Sequence, residues 1–409
     1  MALPIRGVWG SPAQSGTTKD SVSAYLDRLQ SAGFNALYMH LKGGDDLLYW
    51  PSTRFPQAVA PGHAEIDYPK LLLDECRSRG MRVEAWLIDF FAVGAAYREH
   101  PEWAMTNGRG KLTTSEMLRG ERFTGLWMCP ARRPGYTDQW LIPVLQEFAE
   151  RYDFDGIHHD YIRYPGDLAP DQYCFCDYCL EEMPKFNGFV SEIYPDEPFY
   201  HELYDREYLE AHWEQSPRVL PLNWDTLDRN SKARLLLEGS FFQGGRNDLD
   251  YFFYTYRTYW ITRFAREAAE AVRAVKPAME ISAAVFKNPV HSGRFIGQDW
   301  RQFAPYADAA IPMDYRDHFP GTFEQYLGLL GEAIRRQKEW AQDFKRLQIG
   351  VAINFLFKES PNGPFPAKKL ERVIEVVNAA GVDGIVIFCD EQIERYGMWD
   401  AAKVLNEFH

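Results

Sequence analysis

The sequence predicts a (β/α)8 TIM barrel, a single domain over residues 1–409 with residues 187–248 as an insertion in the connection after strand four. Three observations predict it. Eight short apolar segments alternate with amphipathic helices along 409 residues, a length such barrels reach when they carry insertions. Gly33, Gly80 and Gly381 stand where a helix gives way to a strand, as a left-handed C-terminal cap requires. No G-x-G-x-x-G follows the first strand, which counts against an open dinucleotide-binding sheet.

Taken in order, Ile5 to Gly10 reads as strand one, and a helix with Val22, Tyr25, Leu26 and Leu29 on one face follows it. FNALYMHL is strand two, a helix runs through Leu71 to Cys76, and MRVEAWLID is strand three. Residues 90–135 form a long connection rich in Gly, Arg and Trp. A helix with Trp140, Leu141, Val144, Leu145 and Phe148 leads into strand four, DGIHHDY. The stretch 187–248 is acidic, aromatic and irregular, hence its reading as an insertion; a helix over Tyr251 to Val275 resumes the rhythm. MEISAAVF, DAAIPMDY, LQIGVAINF and DGIVIFCD are strands five to eight. Thr322 and Gln325 form a capping box before the helix bearing Phe323, Tyr326, Leu327, Leu330 and Ile334. Pro366 opens the next helix, and Ala401 to Phe408 is the last.

A net charge of −13 argues against a nucleic-acid partner, because phosphate binding needs clustered Lys and Arg. No apolar run reaches the ~18 residues of a membrane span. MALPIRGVWG enters a strand at once, so no signal peptide is read and a cytoplasmic protein is expected, a trimmed exported form being the alternative. A homo-oligomer is compatible with the sequence. Aromatics make up 15%, with 12 Trp and 23 Tyr; most belong to a large core, but Trp and Tyr also suit a half-wet carbohydrate cleft.

Catalytic groups of such barrels sit at the C-terminal ends of strands. Those ends supply His40 and Lys42, then Asp89, then His158, Asp160, Tyr161 and Arg163 on strand four. Lys287 and Asn288 follow strand five, Asp314 and Tyr315 strand six, Asn354 strand seven, and Asp390 and Glu391 strand eight. Converging acids among aromatics, with no phosphate loop, point to acid–base work on a neutral polar substrate such as a carbohydrate. Glycoside hydrolysis, which sets two carboxylates across the scissile bond, leads. Asp160 is the expected nucleophile or base and Asp314 the acid, with Asp390 or Glu391 in reserve; His40, Lys42, Asp89, His158, Tyr161, Arg163, Asn288 and Tyr315 are the expected substrate contacts. Strand alternation turns His158 and Asp160 inward and His159 outward, and in the same register Asp390 inward and Glu391 outward; on strand six it turns Met313 and Tyr315 inward and leaves Asp314 oblique. Asp89 and Asp314 have a plainer reading as helix N-caps, and His158 as a core histidine.

Cys174, Cys176 and Cys179, spaced C-x-C-x-x-C, together with Cys129 on the preceding connection make a candidate closed structural Zn²⁺ site; the alternative is surface cysteines without metal. Cys76 and Cys389 read as buried thiols.

With these residues placed, FDGIHHDYIRYP resembles the strand-four signature of the family-10-like glycosyl hydrolases. RGVWGSP, NALYMHLKGGDDLLYWPS and PMDY are similar to other strand ends of that group, and the resemblance implies a barrel with glycoside hydrolase activity on an unspecified sugar. The cysteine pattern resembles the zinc cluster of family 42 β-galactosidases. That clan uses glutamates after strands four and seven, where this chain has Asp160 and Asn354, with Glu359 nearby. Barrels of the α-galactosidase type use aspartates after strands four and six, which Asp160 and Asp314 match. A chitinase-like D-x-D-x-E run is broken at Ile162. Two other functions remain open: a non-catalytic carbohydrate-binding barrel, and a metal-dependent hydrolase with its metal among His40, His158 and the aspartates.

Overall fold

The computed structural model describes residues 4–116, 124–166, 172–183, 224–238, 248–352 and 367–409. Eight parallel strands close in chain order: β1 Ile5–Gly10, β2 Ala36–Lys42, β3 Arg82–Ile88, β4 Gly156–Asp160, β5 Glu280–Val285, β6 Ala309–Pro312, β7 Arg346–Ala352 and β8 Gly384–Phe388, which returns to β1. The barrel read from the sequence is the barrel observed. Most of the expected insertion, and Asn354 and Glu359 beyond β7, lie outside the described residues.

The helices form where the apolar periodicity places them. Lys19–Ser31 buries Val22, Tyr25, Leu26 and Leu29, and a reciprocal box between Thr18 and Ser21 caps it. The Thr322–Gln325 box opens Phe323–Trp340, which buries Phe323, Tyr326, Leu327, Leu330 and Ile334. Asp248–Val275 starts three residues earlier than expected. The last segment differs more: a short helix Trp399–Ala402 passes into a 3-10 helix, Lys403–Glu407.

Side chains pointing into the barrel are layered by strand alternation. At the N-terminal end Arg82 pairs with Glu84, while Arg346 grips Glu280 through two bonds of 2.9 and 2.6 Å. Above them a polar relay crosses four strands. Trp9 Nε1 donates to His158 Nε2 at 2.9 Å, His158 Nδ1 lies 2.8 Å from Ser282 Oγ, and Ser282 Oγ donates to Glu84 Oε2 at 2.5 Å. An indole can only donate, so His158 Nε2 is the acceptor and Nδ1 carries the proton. The C-terminal end of the barrel is walled by aromatics, and the small hairpin Thr114–Glu116 with Thr124–Leu126 belongs to the connection beside it. Gly125 of that hairpin lies on the Phe91 ring, so close that a β-carbon there would fall 1.7 Å from it. Only glycine permits this approach, which leaves Phe91 stacked on Tyr161 at 5.0 Å.

Candidate active site and metal centre

Asp160 is the last residue of β4, buried at the mouth of the barrel. Tyr161 takes a left-handed backbone, φ +55°, rare for a residue with a side chain. That turn brings the Tyr161 amide to Asp160 Oδ1 at 2.7 Å, while Trp86 Nε1 donates to Oδ2 at 3.3 Å. Burial pushes the carboxyl up to about 6, against the opposing pull of Arg163 and these hydrogen bonds. A carboxylate so held ionises near neutrality, in a fixed orientation.

Arg163, also buried, sits over the rings of Trp127 at 5.1 Å, Tyr161 at 4.5 Å and Phe286 at 4.8 Å. Its Nε has no hydrogen-bond partner among the described residues. The His40 ring lies 4.6 Å from Trp86, and burial lowers its pKa to about 4, so it stands neutral beside Asp160's donor. Tyr315, near the same mouth, stacks on Phe388 at 5.4 Å.

Other expected site residues are placed elsewhere. His158 points inward as its register requires, but both ring nitrogens are engaged in the relay, and burial holds it neutral. It is a core histidine, closed to substrate and to metal. Lys42 should share a face with His40, two residues earlier; a register shift between them turns Lys42 outward. There it pairs with Asp46 at 3.1 Å and donates to the Ile88 carbonyl, fully buried. Asp89 is likewise buried and lies 3.1 Å from His159 Nδ1; burial is the largest effect on its carboxyl and raises it. Asn288 caps the helix Pro289–Ile296 through the His291 amide.

The two reserve acids and the expected general acid separate as well. Asp314 faces the helix Phe323–Trp340, where Gln337 Nε2 donates to its Oδ1 at 2.9 Å. Alternation along β6 turns Met313 and Tyr315 into the barrel, beside Trp9, Tyr38 and Phe388, and leaves Asp314 on the outer side. Burial pushes its carboxyl up to about 8, and Oδ2 has no partner among the described residues. Asp390 accepts from the Ser11 amide and from Tyr25 OH, both at 2.8 Å, and burial lifts it to about 7. It starts a helix, Asp390–Arg395, so the chain has already left the β8 ladder and its parity. Glu391 is exposed and accepts from Ser11 Oγ at 3.1 Å.

The folded state holds a proton on Asp314 that an unfolded chain, with its aspartate near 4, has released. Stability from this group is therefore fully present below about pH 4 and is lost as pH rises towards 8. Asp314→Asn keeps an acceptor for Gln337 and carries no charge. Its Tm, relative to the parent's, is expected to be lowest near pH 4 and to climb through pH 8; a flat difference across that range disproves the burial effect.

Reading strand ends missed Trp86, Trp127, Phe286 and Phe388, because an aromatic in an apolar strand looks like core. Alternation from Glu84 in RVEAWLI could have put Trp86 inside.

The four cysteines come together as their spacing predicts. All are buried, and their sulfurs lie within 4.8 Å of one another, with Cys129 Sγ 3.5 Å from Cys179 Sγ and 3.8 Å from Cys176 Sγ. Tetrahedral bonds of about 2.3 Å would set sulfurs about 3.8 Å apart, so the thiols fit a metal. Cys76 and Cys389 are buried thiols, each raised to about 12 by burial. Next to the cluster the Tyr164 hydroxyl lacks a partner among the described residues. Arg257, boxed by Tyr164 at 4.8 Å and Tyr173 at 4.3 Å, has Nε and one terminal nitrogen unpartnered as well. These are donors and a cation that a dianionic tetrathiolate would satisfy.

Comparison with known proteins agrees with the resemblance carried by the strand-four motif. Residues 4–187 match the family described as Glycosyl hydrolase-like 10. The chain is 25% identical over 177 residues to glycosyl hydrolase DigH of Escherichia coli strain K12, covering 37% of this chain and 37% of DigH. The chain therefore spans little more than a third of that relative's length. Among solved structures it is similar to the PgaB (BpsB) glycoside hydrolase domain of Bordetella bronchiseptica, with TM-score 0.64, 14% identity and 98% of each chain covered. It is also similar to Gan42B, a GH42 β-galactosidase, with TM-score 0.62 and 13% identity over 100% of this chain and 57% of that one. At such identities the structural likeness speaks for the barrel.

Proposed function

We propose that this chain is a glycoside hydrolase in which Asp160 acts as nucleophile or general base on a carbohydrate held at the mouth of the barrel. The observation that carries the reading is the setting of Asp160: a strand-end carboxylate held by the Trp86 indole and the Tyr161 amide and raised to about 6. It stands among faces of Trp, Tyr and Phe on which a sugar ring can rest. The match of residues 4–187 to a glycosyl hydrolase-like family supports the same reading. Trp86 and the Tyr161 amide orient the carboxylate. Arg163 favours its ionised form and, on this reading, supplies donors to substrate hydroxyls.

Cys129, Cys174, Cys176 and Cys179 would hold Zn²⁺ as a closed structural centre, with no open position for chemistry. Zinc there would tie the connection before β4 to the segment after it, and so fix the wall that carries Trp127.

A panel of aryl glycosides and oligosaccharides tests the function. In the parent, kcat/KM on a cleaved substrate is expected to rise about tenfold per pH unit below pH 6 and to level off above it as Asp160 ionises. Oligosaccharide binding without turnover across the panel would instead establish a non-catalytic carbohydrate-binding barrel.

A further inference from the structure

Glycosidic bond cleavage needs a second carboxyl group, and the acids at the mouth sort by the tyrosine they surround. Asp45 and Glu391 belong to Tyr49: after burial, theirs are the charges that raise its phenol. Glu391 is tied to Ser11, and Asp45 Oδ1 accepts from the Leu47 amide at 3.1 Å, closing its own loop. Asp160 and Asp317 belong to Tyr315, whose phenol is raised first by burial, next by Asp160, and further by Cys389, Tyr161 and Asp317.

A continuous line of contacts makes the second grouping geometric. Asp160 accepts from Trp86, the Trp86 ring meets Phe388 edge-on at 6.5 Å, and Phe388 stacks on Tyr315 at 5.4 Å. Tyr315 leads straight into the 3-10 turn Arg316–His318, whose His318 ring packs 5.2 Å from the Tyr315 ring. His318 Nδ1 lies 3.0 Å from the Met313 carbonyl, which can only accept, so Nδ1 holds the proton and Nε2 is left 4.0 Å from Asp317 Oδ1. The Asp317 side chain keeps 16% of its surface open, with Oδ1 buried on the His318 side. Asp314 and Asp390 are fully or almost fully buried, against Gln337 and against Tyr25.

We propose that Asp317 is the second catalytic carboxyl group, the general acid that works with Asp160 across Tyr315. This rests on the glycosidase reading above. In the step, the glycosidic C–O bond breaks and its electron pair goes to the leaving oxygen, which takes the Asp317 proton. The anomeric carbon gains its new oxygen from Asp160 itself, or from a water whose proton Asp160 accepts. In the first route a later water, deprotonated by Asp317, releases Asp160.

The test is the dependence of Asp317→Asn on the leaving group. Against an unactivated oligosaccharide or alkyl glycoside, the variant is expected to lose about 10²–10⁴-fold in kcat/KM. Against a dinitrophenyl glycoside of the same sugar, whose leaving group needs no proton, it is expected to stay within about tenfold of the parent. Equal losses on both substrates, or none on the oligosaccharide, overturn the assignment. If the Asn variant folds poorly, Asp317→Glu takes its place: it is expected to recover part of the oligosaccharide rate, and no recovery overturns the assignment. A parent that cleaves nothing in the panel instead sinks the glycosidase reading, and this assignment with it.

Discussion

Asp160→Asn is expected to lower turnover on any substrate the parent cleaves by roughly 10³-fold or more, while Tm and metal content stay near the parent's. The amide oxygen can still accept from Trp86 or from the Tyr161 amide, so the turn at φ +55° keeps its anchor. The substitution removes a charge that burial disfavours, raised as it is to about 6, so the fold has little reason to suffer. Steady-state kinetics with thermal unfolding on one preparation decide the matter. Full activity in a folded variant would remove Asp160 from the chemistry and leave the barrel without its central carboxylate.

The second large effect is on the cysteines. The parent is expected to carry about one zinc per chain, and Cys129→Ser to lose nearly all of it, because four sulfurs within 4.8 Å make one indivisible ligand set. Binding to such a set is worth roughly 10–16 kcal/mol in small zinc peptides; in a chain with its own barrel core part of that should remain visible, as a Tm lower by roughly 10 °C or more. Metal content by elemental analysis and calorimetry of parent and variant provide the check. Limited proteolysis should locate the loosening in the connection 90–135, the arm that Cys129 anchors. A metal-free parent whose stability is indifferent to Cys129→Ser would show that these thiols merely pack.

The barrel was legible because its signals are local and repeated: apolar strands, helices with one buried face, capping boxes at Thr18 and Thr322, glycines at the joints. The cysteine cluster was legible for a related reason, since C-x-C-x-x-C fixes three ligands on one short segment. The site was legible only where strand alternation holds to the last residue, as at His158 and Asp160. It failed at Lys42, where a register shift reverses the facing, and at Asp390, already inside a helix, whereas at strand six it held, with Met313 and Tyr315 inside and Asp314 turned to Gln337. Asp317 sits in a turn with no periodicity to read. The partners of His158 come from β1 and β5, and no local pattern links Trp9, Ser282 and Glu84 across more than 270 residues.

That relay also settles where protons can travel. Its hydrogens all point one way, from the Trp9 indole through His158 and Ser282 to Glu84, and an indole cannot take up a replacement from above. This relay therefore offers no path along which a proton from the mouth could pass to the far end of the barrel. On the proposed glycosidase reading, Asp160 would then exchange its protons on the open side of the barrel, where a sugar would enter, and occupancy of the mouth would be bound to the protonation of that carboxylate.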